Sequence, residues 1–338
     1  MEHIAIDLGG RESQICVRAA DGEVMFERRC ATKTLGKYLS SRPKSRVIVE
    51  TCSEAFGIAE LAMGSGHEVR VVPATLVRSL GVGARGTKTD RRDARILSEV
   101  SCRIDLPSVH VPGQESRRRK SMCGVRDSLV RARTQLSNCI RGWLRGQGHR
   151  LVSGSIETFS FRVHQEVRDV PAFVERQLQV IDNLTVQISA AEKELADDAR
   201  ADSTCRRLMT VPGVGPNTAL RFVAALDEIS RFDGAHKVEA YLGLVPGENS
   251  SSERKRRTGI TKAGSPALRH TLVQAAWAAR RCRRRDPLQA WSHEVEKRRG
   301  RRVAMLALAR KLAGILYAIW RDGSQYEPRK GAKTQPES

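Results

Sequence analysis

A chain of 338 residues is long enough for two domains that each bury a core. Its 59 Lys and Arg against 38 Asp and Glu leave a formal net charge of +21, which points to a polyanionic partner, nucleic acid first. Aromatic residues make up only 4%, which disfavours a grip on single strands by base stacking, and eight cysteines with no C-x-x-C pair and no His at zinc-ligand spacing indicate neither a disulfide framework nor a zinc site.

The first hundred residues alternate strand and helix signals. Ile4–Ile6, Ser13–Arg18 and Glu23–Arg28 read as a three-stranded meander, with a turn at Asp21-Gly22. A helix near Thr34–Leu39, a strand Arg46–Val49, a helix Ala55–Met63 and a strand Glu68–Val72 follow. The order β-β-β-α-β-α-β, with an acid on strand one and another closing strand four, predicts an α/β RNase H-like core with a mixed sheet. The opening MEHIAIDLGG lacks the basic start and apolar run of a signal peptide, so the chain is expected to be cytosolic.

After the Gly-rich GVGARGTKTD, a helix capped at Thr89 or Asp90 places Asp90 and Asp93 on one face. Asp7, Glu50, Asp90 and Asp93 form the carboxylate set of this half. Four such groups at one end of a sheet need a cation to ionise together, and hard oxygen ligands suit Mg²⁺ or Mn²⁺. Taken singly, each acid is equally a helix cap, an ion-pair partner or a turn residue.

Residues 101–205 become helical. Aliphatic spacing through Val125, Leu129, Leu136 and Ile140 predicts a basic helix to about Gly142, and Val174, Leu178, Ile181, Leu184, Ile188, Ala191 and Leu195 make a near-heptad seam on a second. That seam is either internal to one chain or a dimerisation arm. The run Arg117, Arg118, Arg119, Lys120 is either a solvated helix face or a track for a phosphate backbone. In LMTVPGVGPNTALRFVAAL, the turn with Gly213 and Gly215 is similar to a helix-hairpin-helix whose amides hold a phosphate, or is plain turn chemistry between helices.

Residues 241–277 carry three serines beside a basic block. The turn Gly243–Gly247 breaks a helix, Ser250, Ser251 and Ser252 fall on a polar loop, and Arg254, Lys255, Arg256 and Arg257 follow. Such a cluster can clamp phosphate oxygens while a hydroxyl attacks phosphorus, or the loop only touches nucleic acid. His270, on the following helix, has no acid at helical spacing to orient it, and reads as structural or phosphate-facing. The apolar run Val303–Trp320 holds Arg310 and Lys311 in its middle, so it reads as an amphipathic or buried helix and no membrane is expected. Basic residues cluster from Arg280 to Arg302, and the segment after Tyr326 is read as a disordered tail.

Two signatures carry a resemblance. IAIDLGG, VIVETC and KTDRRDA resemble the D-E-D-D pattern of the RuvC-like domain of the DEDD transposases of bacterial insertion sequences, the bridge-RNA-guided serine recombinases. GLVPGENSSSERKRRTGITKAG with ALRHTLVQAAW resembles that family's C-terminal signature, in which a serine immediately before a glycine is the nucleophile. Alignment puts that serine at Ser251, with Ser252 standing where the family has glycine, so Ser250 competes for the role. The resemblance implies catalysis by Asp7, Glu50, Asp90, Asp93 and Ser251, metal held by the four acids, and electrostatic help from Arg254–Arg257 and Lys262. Arg269 joins these as a nucleic-acid contact. It further implies DNA and a structured guide RNA as partners, and a homo-oligomer with a composite site. The domains it suggests are 1–105 RuvC-like, 106–204 helical coiled-coil connector, 205–325 mainly α transposase domain and 326–338 tail.

Overall fold

The computed structural model describes residues 1–79, 90–248, 257–282 and 286–328. It divides into two compact units, Met1–Pro112 and Gly113–Ser338.

In the first unit, β1 (His3–Asp7), β2 (Glu12–Arg18), β3 (Val24–Ala31), β4 (Arg46–Glu50) and β5 (Glu68–Val72) form one sheet of order β3-β2-β1-β4-β5. The pairs β1–β2 and β2–β3 are antiparallel, whereas β1–β4 and β4–β5 are parallel. Alternation along the strands sorts the side chains onto two faces. Ile4, Ile6, Val47, Val49 and Val71 pack on one face with Leu35 and Leu39 of α1 (Leu35–Ser40) and Ile58 and Ala62 of α2 (Ala55–Gly64). Ala5, Ile48 and Val72 pack on the other with Val77 of α3 (Ala74–Ser79) and Leu97 of α4 (Asp90–Arg103). Each fully buried Ile or Val contributes roughly 1.5–3 kcal/mol, so the sheet is fixed from both sides. This mixed α/β arrangement is compatible with the expected RNase H-like core.

The second unit is helical. The long helices α5 (Gln114–Gly146) and α7 (Ala172–Ala201) run antiparallel: Arg118 meets Asp198 near one end, and Gln177 approaches Cys139 toward the other. The near-heptad seam is spent inside the chain. Val174, Leu178 and Ile181 pack with Ile140 and Leu144, and with Phe159 and Val163 of the short α6 (Phe159–Glu166). Leu195 and Ala199 join the larger core with Cys123, so these helices share packing with the C-terminal ones rather than standing apart.

That larger core collects α8 (Ser203–Leu208), α9 (Pro216–Leu226), α10 (Ala235–Tyr241), α11 (Pro266–Arg281), α12 (Pro287–Arg299) and α13 (Arg301–Asp322). A small antiparallel pair, β6 (Pro246–Glu248) with β7 (Arg257–Ile260), projects between α10 and α11 where the sequence suggested only loop. The helix α13 is long and apolar enough to cross a membrane by length and composition. Its Leu308, Leu312 and Leu316 are instead fully enclosed in the core.

Candidate active site

The three described acids of the sequence set lie at one end of the sheet. Register pairs His3 with Arg46 and Ile6 with Val49, so the next step along both parallel strands brings Asp7 beside Glu50. Asp7 shares strand parity with Ala5, and Glu50 with Ile48; both residues therefore fall on the face covered by α4.

The helix α4 runs opposite to β1. Ser101 near its end meets His3 Nδ1 at 2.8 Å, and the Ser98 hydroxyl donates to Cys16 Sγ at 3.2 Å, where Cys16 pairs with Ala5. Going back from Ser101 to Asp93 covers about 12 Å of helix, and going forward from His3 to Asp7 covers about 13 Å of strand. Asp93 thus lies level with Asp7, one helical turn before the sheet-facing Leu97, and is buried at 1% exposure. Asp90 opens the same helix, and its side chain lies outside the described residues.

The loop after Asp7 is pinned. Thr32 Oγ1 donates to the Gly9 carbonyl at 2.6 Å and meets the Ser13 hydroxyl at 2.8 Å. A Cβ on Gly9 would sit 2.4 Å from the Glu12 carbonyl oxygen, so only glycine permits this return. Sequence reasoning missed the polar fasteners that hold α4 on the sheet. Besides the Ser98 and Ser101 contacts, Arg18 Nε donates to Ser98 Oγ at 3.0 Å and Arg95 pairs with Glu27 of β3. No local signal marks them, because the partners are 68 to 98 residues apart in sequence. Burial pushes the Cys16 thiol up against a smaller opposing effect of its Ser98 hydrogen bond, which makes it a neutral packing group rather than a nucleophile.

The acids fit a divalent cation by donor chemistry: all are carboxylates, the hard oxygen ligands that Mg²⁺ and Mn²⁺ take. Among the described residues, no three His, Cys, Asp or Glu side chains are closed into a metal-holding group. The neighbourhood of Asp7, Glu50 and Asp93 is therefore one of shared face and level.

In the second unit, Ser250, Ser251, Arg254, Lys255 and Arg256 lie outside the described residues, as does the side chain of Arg257. The base of their loop is described. Glu248 pairs with Arg257 and Pro246 with Ile260. Lys262 is exposed and adopts a left-handed backbone, φ 58°, which is rare for a side-chain-bearing residue. His270 is exposed on α11.

Several residues read as nucleic-acid contacts have internal work. Arg119 is buried, donates to Asp202 Oδ2 at 2.8 Å and lies 3.2 Å from Asp198. Arg118 reaches Asp198 at 2.7 Å and forks onto Glu115 at 2.6 and 2.8 Å. Hydrogen bonding from Arg118, aided by Arg119, holds the Glu115 carboxyl at about 2. The four-residue track is thereby reduced at its centre, because long guanidinium arms find acids on α7 and at the start of α8. Lys120 remains exposed. In the turn before α9, Gly213 has φ +82°, and a Cβ there would sit 2.3 Å from the Ala275 carbonyl oxygen and 2.4 Å from the Ala279 nitrogen. Its absent side chain lets the turn touch the backbone of α11. Gly215 is the N-cap of α9, with open space at its Cβ position. Arg269 is bound to carbonyls of its own chain: its Nη1 donates to Leu242 O and Gly264 O, each at 3.2 Å, and to Ala263 O.

Known proteins resemble both halves. Residues 4–147 match the IS110-type DEDD transposase family, described as Transposase, and residues 205–290 match the family described as Transposase IS116/IS110/IS902 family. The chain is 28% identical to the transposase for insertion sequence element IS1111A of Coxiella burnetii, over 94% of this chain and 88% of the relative. It is 28% identical to a probable family 20 transposase of Pseudomonas aeruginosa, over 97% and 99% of the two chains. The transposase for insertion sequence element IS1328 of Yersinia enterocolitica gives 28% over 96% and 98%.

Proposed function

The chain belongs to the IS110-type DEDD transposases of insertion sequences, and from that premise we propose that it recombines DNA through a serine nucleophile, Ser251, acting with the carboxylates of a RuvC-like domain. The observation that carries this reading is the placement of Asp7, Glu50 and Asp93 on one face and at one end of the sheet, with Asp90 opening the same helix. Membership implies use of a divalent metal ion, Mg²⁺ or Mn²⁺ by donor type, and Asp7, Glu50, Asp90 and Asp93 are the residues that would hold it. Such an ion, when bound, stabilises negative charge on the phosphate oxygens.

The chain's own residues do the rest. The Ser251 hydroxyl gives up its proton as Oγ forms a bond to a DNA phosphorus, one bridging phosphorus–oxygen bond breaks, and the departing oxygen takes up a proton to leave a hydroxyl end. The product is a phosphoserine–DNA link, which a DNA hydroxyl later reverses. Arg254, Lys255, Arg256, Arg257 and Lys262 supply positive charge to the phosphate under attack. A homo-oligomer would bring the carboxylates of one copy to the serine of another. Choice of target passes to a structured RNA that pairs with DNA, and the +21 charge supports polyanionic partners of either kind.

The test is a denaturing gel of labelled element-end DNA with the element's flanking RNA and Mg²⁺. Wild type is expected to give a covalent protein–DNA adduct. Ser251→Ala removes it, Ser250→Ala retains it, and Asp7→Asn lowers it by about 10³-fold with an unchanged melting temperature. Metal-dependent cleavage that persists in Ser251→Ala without any adduct in wild type would replace this reading with that of a junction nuclease.

A further inference from the structure

We infer that Arg269 is a positioning residue that braces the base of the β6–β7 hairpin and so sets how the serine segment is presented; this rests on the reading of Ser251 as nucleophile. Residues 249–256 leave and rejoin the described chain at Glu248 and Arg257, which are ladder partners. Whatever fixes that ladder fixes the two ends of the serine segment.

Three observations converge on the base. First, the Arg269 guanidinium takes carbonyls from both sides of the hairpin, Leu242 before β6 and Ala263 and Gly264 after β7. Leu242 is the C-cap of α10, so its carbonyl has lost its helical partner and lies at the negative end of that helix, where a cation is favoured. Secondly, the two sides touch backbone to backbone. A Cβ on Gly243 would sit 2.3 Å from the Ala263 nitrogen, and one on Gly264 would sit 2.2 Å from the Tyr241 carbonyl oxygen. Both glycines have positive φ. Thirdly, the Lys262 amide donates to Gly243 O at 3.2 Å and the Thr261 amide to Val245 O at 3.0 Å, which holds Lys262 in its left-handed conformation. Strain of that kind persists only where its surroundings over-determine it.

Arg269 itself is anchored. It sits in the first turns of α11, whose N-cap Ser265 accepts from the Leu268 amide at 3.3 Å and whose Leu268 and Leu272 are buried in the core. The brace therefore joins the hairpin base to a rigid helix. All three carbonyls are taken by the single nitrogen Nη1, which lies one bond farther from the backbone than a lysine Nζ, so a lysine keeps the charge but falls short of the brace.

The experiment uses the full chain with element-end DNA, its RNA and Mg²⁺, comparing wild type, Arg269→Gln, Arg269→Lys and Ser251→Ala. The brace predicts DNA affinity and salt slope unchanged in both Arg269 variants. It also predicts an adduct-formation rate at saturating DNA reduced about 100-fold in both, as expected for a misplacement of about 1 Å. Hydrogen exchange at the Thr261 and Lys262 amides should speed up in both, while α5 and α13 amides stay protected. A salt slope lowered by about one in Arg269→Gln and restored by lysine, with normal adduct formation at saturation, would make Arg269 a phosphate contact and overturn the inference. Unchanged exchange at Thr261 and Lys262 would overturn it as well. If wild type gives no adduct while exchange rises in the variants, the brace stands and the serine reading falls.

Discussion

The two units use charge in opposite ways. In the sheet unit, Asp7 and Glu50 sit where strand alternation sends them, at the ends of neighbouring parallel strands, and Asp93 follows from helical spacing to Leu97. In the helical unit, Arg118, Arg119 and Arg269, candidates for nucleic-acid contact in the sequence, are spent on acids and carbonyls of their own chain. The difference teaches that a short carboxylate on a regular element is located by local periodicity. A long guanidinium arm is located by what it can reach in three dimensions.

The contrast can be broken most directly at α5. Arg119→Met strands Asp202 without its cation and leaves Asp198 to Arg118 alone, and a loss of about 3 kcal/mol in urea unfolding is expected, with an unchanged salt slope of DNA binding. Lys120→Ala next door is expected to do the reverse, lowering the slope by about one with stability altered by less than about 0.5 kcal/mol. If Arg119 and Lys120 behave alike, the contrast is wrong for this helix.

A smaller effect sharpens the assignment of the turn before α9. Gly213→Ala forces a methyl into the backbone of α11 at a left-handed position, so about 2 kcal/mol of stability should be lost, measured by thermal unfolding. Gly215→Ala, with open space at its Cβ, should cost only a few tenths of a kcal/mol. Equal losses of DNA affinity in both, at unchanged stability, would restore the phosphate-hairpin reading.

The smallest effect is acid sensitivity. Burial pushes Asp202 up, but the Cys205 amide and Arg119 outweigh it and leave its carboxyl lowered, and Glu115 is held at about 2. Groups lowered in the folded state contribute stability that is present above the unfolded value of about 4 and lost as pH falls through the folded value. A decline from about pH 4 toward pH 2 is thus expected in the helical unit. It should flatten in Arg119→Met and shrink with added salt, since Glu115 is more than half exposed.

Much of the sheet was legible in sequence because its strands alternate and end in turn residues; Glu68–Val72 emerges with the expected bounds. The long helices were legible from aliphatic spacing, although that spacing alone did not decide whether the heptad-like seam closed on its own chain. It does, against α5 and α6. The eight-residue α6 escaped because so short a helix presents too few repeats to reveal a period. The acids of the candidate site were legible as a set, whereas their fasteners, Ser98, Ser101 and the Arg95–Glu27 pair, depend on register between distant segments. The hairpin base was hidden for a related reason. Gly243 and Gly264 look like ordinary turn residues until the structure brings Gly243 against the backbone of Ala263 and Gly264 against that of Tyr241.

The burial of α13 bears on how copies of this gene decay. Its Leu308, Leu312 and Leu316 fill the middle of the helical core, and the Tyr317 hydroxyl donates to the Phe232 carbonyl at 2.8 Å. A stop codon or frameshift between Arg301 and Tyr317 would leave every codon of the carboxylate sheet and of the serine segment untouched. It would still delete the wall on which α8, α10, α11 and α12 close. Such a copy would read as intact at each codon of the candidate site while encoding a protein without the middle of its helical core.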